Sequence, residues 1–163
     1  MQHPETRAQR LAAALYSLVI AFWVGSQMAI GYIVAPVLFS QLADRTLAGA
    51  LAGAMFAVMA RVGLGCGACL LLALALARGR AAFRSLEFGC IALMLALTLL
   101  GHFGIGPLLA GLKAEALPLP VMESPLRARF SLWHGVSSVL YLLQTLIGLA
   151  LVLVARPGDR RLG

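Results

Sequence analysis

The sequence predicts an all-α integral membrane protein: an antiparallel four-helix transmembrane bundle with both termini on the cytoplasmic side. Three observations carry this. Of the 163 residues, 61% are hydrophobic and only 12% are charged, where a soluble domain has roughly half apolar and about a quarter charged residues. Four apolar runs, at about 11–34, 47–77, 85–106 and 130–155, each reach the length of about 20 residues that crosses a bilayer. Basic residues are also distributed unevenly among the connections between these runs.

The first run follows the charged leader MQHPETRAQR. It is longer than the hydrophobic part of a signal peptide and no A-x-A cleavage pattern follows, so it reads as a retained span. Pro36 is expected to end or kink this helix. After VAPVLFSQLADRT comes the second run, the longest and the richest in small residues. Gly49, Gly53, Ala57, Arg61 and Gly65 recur every four residues and share one stripe, with Gly63 and Gly67 as a second small pair beside it. Small residues at this spacing let helices approach closely in lipid. The expected role of Gly49, Gly53, Gly63 and Gly67 is packing within the bundle, with homodimerisation through Gly49 and Gly53 as the alternative.

ARGRAAFR joins the second run to the third, which Pro107 is expected to kink or end. KAEALPLPVMESPLRAR holds three prolines and reads as an extended loop before the last span. The whole chain, 1–163, is expected to be a single membrane domain.

Orientation follows from the basic residues. Arg7, Arg10, Arg78, Arg80, Arg84, Arg156, Arg160 and Arg161 belong to one side; Arg45, Lys113, Arg127 and Arg129 belong to the other. The richer side is read as cytoplasmic. Heavy use of Ala, Gly and Arg points to a GC-rich bacterium and so to its inner membrane. The net charge of +7 and the isoelectric point near 10.4 do not form a continuous basic surface, so no nucleic-acid partner is expected. The partner implied by composition is the lipid bilayer, and a second copy or the subunits of a membrane complex are further candidates.

Cys66 and Cys69 form a CGAC run, but deep in an apolar helix, where a partner thiol has little access. Packing is the expected role. More informative is RFSLWHGVSSVLYLLQ, residues 129–144, which loads the first half of the last span with polar groups. On a helical wheel Ser131, His134, Ser138, Tyr141 and Thr145 share one face. Arg61 and His102 lie roughly 25 Å above the cytoplasmic boundary, and His134 roughly 33 Å, at ~1.5 Å per residue. Arg61, which interrupts a small-residue stripe, is expected to face neighbouring helices. Arg61, His102 and His134 thus form a hypothetical cofactor-binding cluster, supported by Gln27, Ser138 and Tyr141.

Two His on different helices of such a bundle can clamp a haem iron, with an Arg on a propionate. The same groups can bind a quinone headgroup, or a soft metal such as copper, or serve only to hold helix ends together. The difference in height, roughly 8 Å, counts against one haem shared by both His, although helix tilt absorbs part of it. No nucleophile with a base and an orienting group is visible, and Glu87 lies at the boundary, which leaves no buried carboxylate for proton-coupled transport. The reading is a multi-pass inner-membrane protein without enzymatic activity, an accessory or subunit of a membrane complex. Its alternatives are a haem- or quinone-binding redox protein and a metal or small-molecule transporter.

Four motifs carry a family resemblance: WVGSQMAIGYIVAPVLFSQL, AGALAGAMF, HFGIGPLLAGLK and FSLWHGVSSVLYLL. In this order they resemble the transmembrane protein 205-like family, domain of unknown function 4149, over about residues 11–154. The resemblance implies a small four-helix integral membrane protein without an assigned activity. By position, Trp23, Gly25, Pro36, Phe39, Gly49, Gly53, Pro107, Lys113, Phe130, His134 and Ser138 match the recurring pattern. The first span is more distantly similar to copper-resistance D-like proteins and membrane protoporphyrinogen oxidases, which place a His shortly before this Trp. Tyr16 stands there in this chain, a departure that takes away an inherited haem ligand.

Overall fold

A computed structural model describes residues 6–155. The basic tail residues Arg156, Arg160 and Arg161 lie outside the described residues. Four long helices make up most of the described chain: α1 (Arg7–Gln41), α2 (Arg45–Arg78), α3 (Leu86–Glu115) and α4 (Arg127–Val154). Each is long and apolar enough to cross a membrane, and no strand occurs among the described residues. Each helix packs on its neighbours in chain order, and α4 closes the ring against α1. One end of the bundle carries Arg7, Arg78 and Arg84 and is called the basic end below; the other, with the 116–126 connection, is the loop end.

Local chemistry sets the helix starts. Thr6 and Gln9 form a reciprocal cap on α1: the Thr6 hydroxyl accepts the Gln9 N–H at 3.3 Å, and Gln9 Oε1 accepts the Thr6 N–H at 2.9 Å. Asp44 accepts the N–H groups of Thr46 and Leu47 at the start of α2. Ser85 accepts the Phe88 N–H at the start of α3. These caps satisfy donors that a helix start leaves open. Gly79, at φ 55°, ends α2 in a backbone conformation that L side chains rarely adopt.

The sequence expects Pro36 and Pro107 to end or kink their helices. Neither proline ends its helix: both run on, to Gln41 and Glu115. In each, one wider turn precedes the proline: Ile30–Val34 in α1 and Leu100–Ile105 in α3. The Ala35 N–H donates to the Ile30 carbonyl and the Gly106 N–H to the Gly101 carbonyl, so these bonds span five residues. A proline in a regular helix removes a donor and presses its ring on the carbonyl four residues back. Directly after a wide turn that carbonyl has already moved aside, and the helix restarts at a position where proline is tolerated.

The apolar core lies toward the basic end, built from Ile20, Trp23, Val24, Leu70, Ile91, Met94 and Leu151. Trp23 is 1% exposed. Its indole lies on the small pair of α2: a Cβ added at Gly63 would come 2.7 Å from Trp23 Nε1, and one at Gly67 would come 2.5 Å from Leu95 Cδ2 and 3.0 Å from Trp23 Cη2. Gly63 and Gly67 thus lie against side chains of this same chain. The other stripe turns outward. Gly53, Arg61 and Gly65 are exposed, and a Cβ at Gly53 or Gly65 would meet nothing within 4 Å. The expectation that Arg61 faces its neighbours is therefore corrected: Trp23 draws the Gly63 and Gly67 face inward, and the Arg61 face is carried outward with the turn of the helix.

Candidate functional site

Of the six residues expected to form one site, the structure joins two. The Tyr141 hydroxyl of α4 donates to the Gln27 carbonyl of α1. His102, half-buried in the wide turn of α3, has its ring 4.8 Å from that of its neighbour Phe103. His134 and Ser138 are exposed, and the Ser138 hydroxyl bonds back to the His134 carbonyl. Among the described residues no hydrogen bond, ion pair or ring contact links Arg61, His102 and His134 to one another, and no group of three or more His, Cys, Asp or Glu could hold a metal.

The polar residues that do meet form a layer above the apolar core. Gln27, Thr98, Gln144 and Thr145 are all buried. Gln144 Nε2 donates to Thr98 Oγ1 at 2.9 Å and to Gln27 Oε1 at 3.2 Å, which ties α4 to both α3 and α1. The Tyr32 hydroxyl donates to Thr145 Oγ1 at 3.2 Å. Thr98 and Thr145 send their own hydroxyl hydrogens to the carbonyls of Met94 and Tyr141 in their helices, which leaves Thr98 free to accept. Gln27 Nε2 is buried without an acceptor. In a bilayer such side chains find partners only on other helices, so the layer acts as a hydrogen-bonded clamp. It contains no carboxylate, imidazole or thiol; amides and hydroxyls of this kind orient helices and do not carry protons at neutral pH.

Tyr141 links this clamp to the wide turn of α1. Its ring lies over Gly31, where an added Cβ would overlap it, and its hydroxyl rests against the Gly31 backbone. The Gln27 carbonyl, which receives the Ile30 N–H within its own helix, also accepts the Tyr141 hydroxyl. The ring also meets Phe56 of α2 edge-on at 5.1 Å. One side chain of α4 thereby touches both α1 and α2.

A second cluster closes the loop end. Lys113 Nζ lies 5.7 Å from the centre of the Phe130 ring, and Phe130 stacks on His134 with ring centres 5.8 Å apart and planes within 9°. Gly49 faces Phe39 Cζ and Lys113 Nζ, at 3.7 and 4.0 Å from an added Cβ. All four helices thus contribute to one aromatic and cationic contact. The sequence-based site omitted both Gln144 and Thr98. The legible signal was a pair of glutamines, Gln27 and Gln144, within otherwise apolar spans.

Fold and site together define a class: a four-helix bundle of membrane-spanning length, closed within by neutral hydrogen bonds. A family model described as a domain of unknown function (DUF4149) matches residues 18–118. That is more than half of the chain, and the chain belongs to this family. The match covers α1 to α3, including Gln27, Arg61 and Thr98, and stops short of α4 with Tyr141 and Gln144. No curated protein and no solved structure matches the chain.

Proposed function

We propose that this protein is a non-enzymatic accessory subunit of a larger membrane complex, held to its partner through the outward face of α2. The observation that carries the reading is Arg61. It is exposed, it forms no ion pair among the described residues, and it stands about 25 Å from either end of α2 at ~1.5 Å per residue. An arginine that faces lipid within an apolar span costs up to roughly 3 kcal/mol unless it is paired or reaches water. Gly53 and Gly65 lie beside it on the same stripe, and packing within this chain does not account for them. A partner helix bearing a carboxylate fits both features, because small residues permit close approach and the acid neutralises the guanidinium. A second copy fits less well, since a two-fold axis on this face would set Arg61 against Arg61. The described acids lie elsewhere: Asp44 caps α2, Glu87 is held by Arg78, and Glu115 and Glu123 belong to the loop end.

The setting that belongs to this reading is the bacterial inner membrane, with both termini cytoplasmic, and a place among the transmembrane protein 205-like proteins. Basic residue placement and the four motifs in order support it. The test is a photo-crosslinking residue in place of Ala57, activated in native membranes. The expected product is an adduct with one membrane protein, mapped beside an Asp or Glu of a spanning helix, lost in Arg61→Leu and kept in Arg61→Lys. An adduct with a second copy, or one that Arg61→Leu leaves intact, would sink the proposal. An absorbance spectrum separates the redox alternative: protein made with ample haem is expected to be featureless in the visible. A Soret band lost in His102→Ala or His134→Ala would make it a cytochrome.

A further inference from the structure

The connection between α2 and α3 at the basic end has a built form. Gly79 turns the chain, Gly79–Arg84 follows as a short 3₁₀ helix, and Ala82, fully buried, pins it to the bundle. Ser85 locks the exit: its N–H and hydroxyl both donate to the Ala82 carbonyl, at 3.0 and 2.7 Å. Within this fixed turn Arg80, Ala81, Phe83 and Arg84 line one shallow, open groove whose walls are mostly apolar. Arg80 and Arg84 are exposed and form no ion pair among the described residues. The nearby carboxylate, Glu87, is buried and already held by Arg78 at 3.0 Å.

We infer that this groove binds the phosphate of an anionic phospholipid headgroup. Two guanidiniums on one rigid turn match a phosphate diester, each able to donate a pair of hydrogen bonds. Their apolar neighbours set the depth. Phe83 is 63% exposed and Leu86 67% exposed, beside the ends of two spanning helices. An aromatic ring flanked by arginines there occupies the level where hydrocarbon gives way to headgroups. Phe83 also lies 4.8 Å, centre to centre, from Phe88 of α3, so the ring is held against the bundle. A nucleic acid or a soluble acidic peptide would have to leave Phe83 and Leu86 in water; a lipid covers them with its own chains. The inference rests on charge and placement at this turn and is independent of the Arg61 reading.

The test is lipid retention by the full chain in mild detergent, read by native mass spectrometry against titrated phosphatidylglycerol, cardiolipin and phosphatidylcholine. Two arginines near an anionic surface give a preference of about 30-fold for the anionic lipids. Arg80→Gln with Arg84→Gln is expected to abolish that preference, Arg80→Lys with Arg84→Lys to keep part of it, and Arg7→Gln with Arg10→Gln to leave it unchanged. Each variant is compared at equal helical content by circular dichroism. Undiminished preference in the Arg80/Arg84 glutamine variant would overturn the site, and equal loss in the Arg7/Arg10 variant would reduce it to general charge attraction. Competition by millimolar inorganic phosphate as effective as that by lipid would assign the groove to free phosphate instead and would equally refute the inference.

Discussion

At the scale of single residues, the glycines divide by what they face. Gly31 lies under Tyr141, and Gly63 and Gly67 lie under Trp23 and Leu95, whereas Gly53 and Gly65 face open space. Glycine is required where a neighbour occupies the volume of a Cβ, and in such places one added methyl costs typically 1–3 kcal/mol. Gly31→Ala is therefore expected to destabilise the purified protein by about 1–3 kcal/mol, while Gly65→Ala does not destabilise it and raises stability by up to about 1 kcal/mol. Detergent unfolding curves of the two variants check this. Equal effects would mean that the Tyr141 ring is not seated on Gly31. The small-residue content of α2 is plain in the sequence, but its inward face is not. Gly63 and Gly65 stand 200° apart on a helix, and only the arrival of Trp23 from α1 decides between them.

At the scale of elements, the four spans were legible because lipid-facing helices carry their signal in length and hydropathy alone. Expected limits for the second and fourth spans, about 47–77 and 130–155, lie within a few residues of Arg45–Arg78 and Arg127–Val154. The first and third were expected too short, because a proline reads as a stop when the backbone before it is assumed regular. Tyr141, more than a hundred residues away, is what meets the widened turn of α1, and no local pattern announces such a contact. The site was read less well than the fold. Helical-wheel reasoning put His134 and Ser138 on the same face as Tyr141 and Thr145, but only the latter two face the bundle, while His134 and Ser138 are exposed and His134 stacks on Phe130. Because α1 already accommodates its proline, Pro36→Ala is expected to leave helical content unchanged and to shift stability by less than about 1 kcal/mol, well below the ~3 kcal/mol of a proline in a regular helix. Circular dichroism with an unfolding curve decides it; a gain of several kcal/mol would show that the wide turn does not relieve the ring.

At the scale of the whole molecule, the described residues hold four helices long enough to span a membrane, and the proposed orientation puts the basic end in the cytoplasm. Green fluorescent protein fused to the C-terminus of the full chain is expected to fluoresce, and alkaline phosphatase fused there to be inactive. The reverse pair of results would invert the bundle and move the Arg80 and Arg84 groove to the other leaflet. The ring of helices has a further consequence in time. Gln27 is made 117 residues before Gln144, whose amide bonds to it, and the other member of that contact, Thr98, also comes later. A ribosome must deliver α4 before the side-chain oxygen of Gln27 on the first helix receives its donor. Until then that helix shows the bilayer a polar group that the finished bundle hides, and a chain cut short before α4 continues to show it. The clamp is thus also a completion mark: an unfinished copy shows the Gln27 side chain to lipid, and a finished one does not.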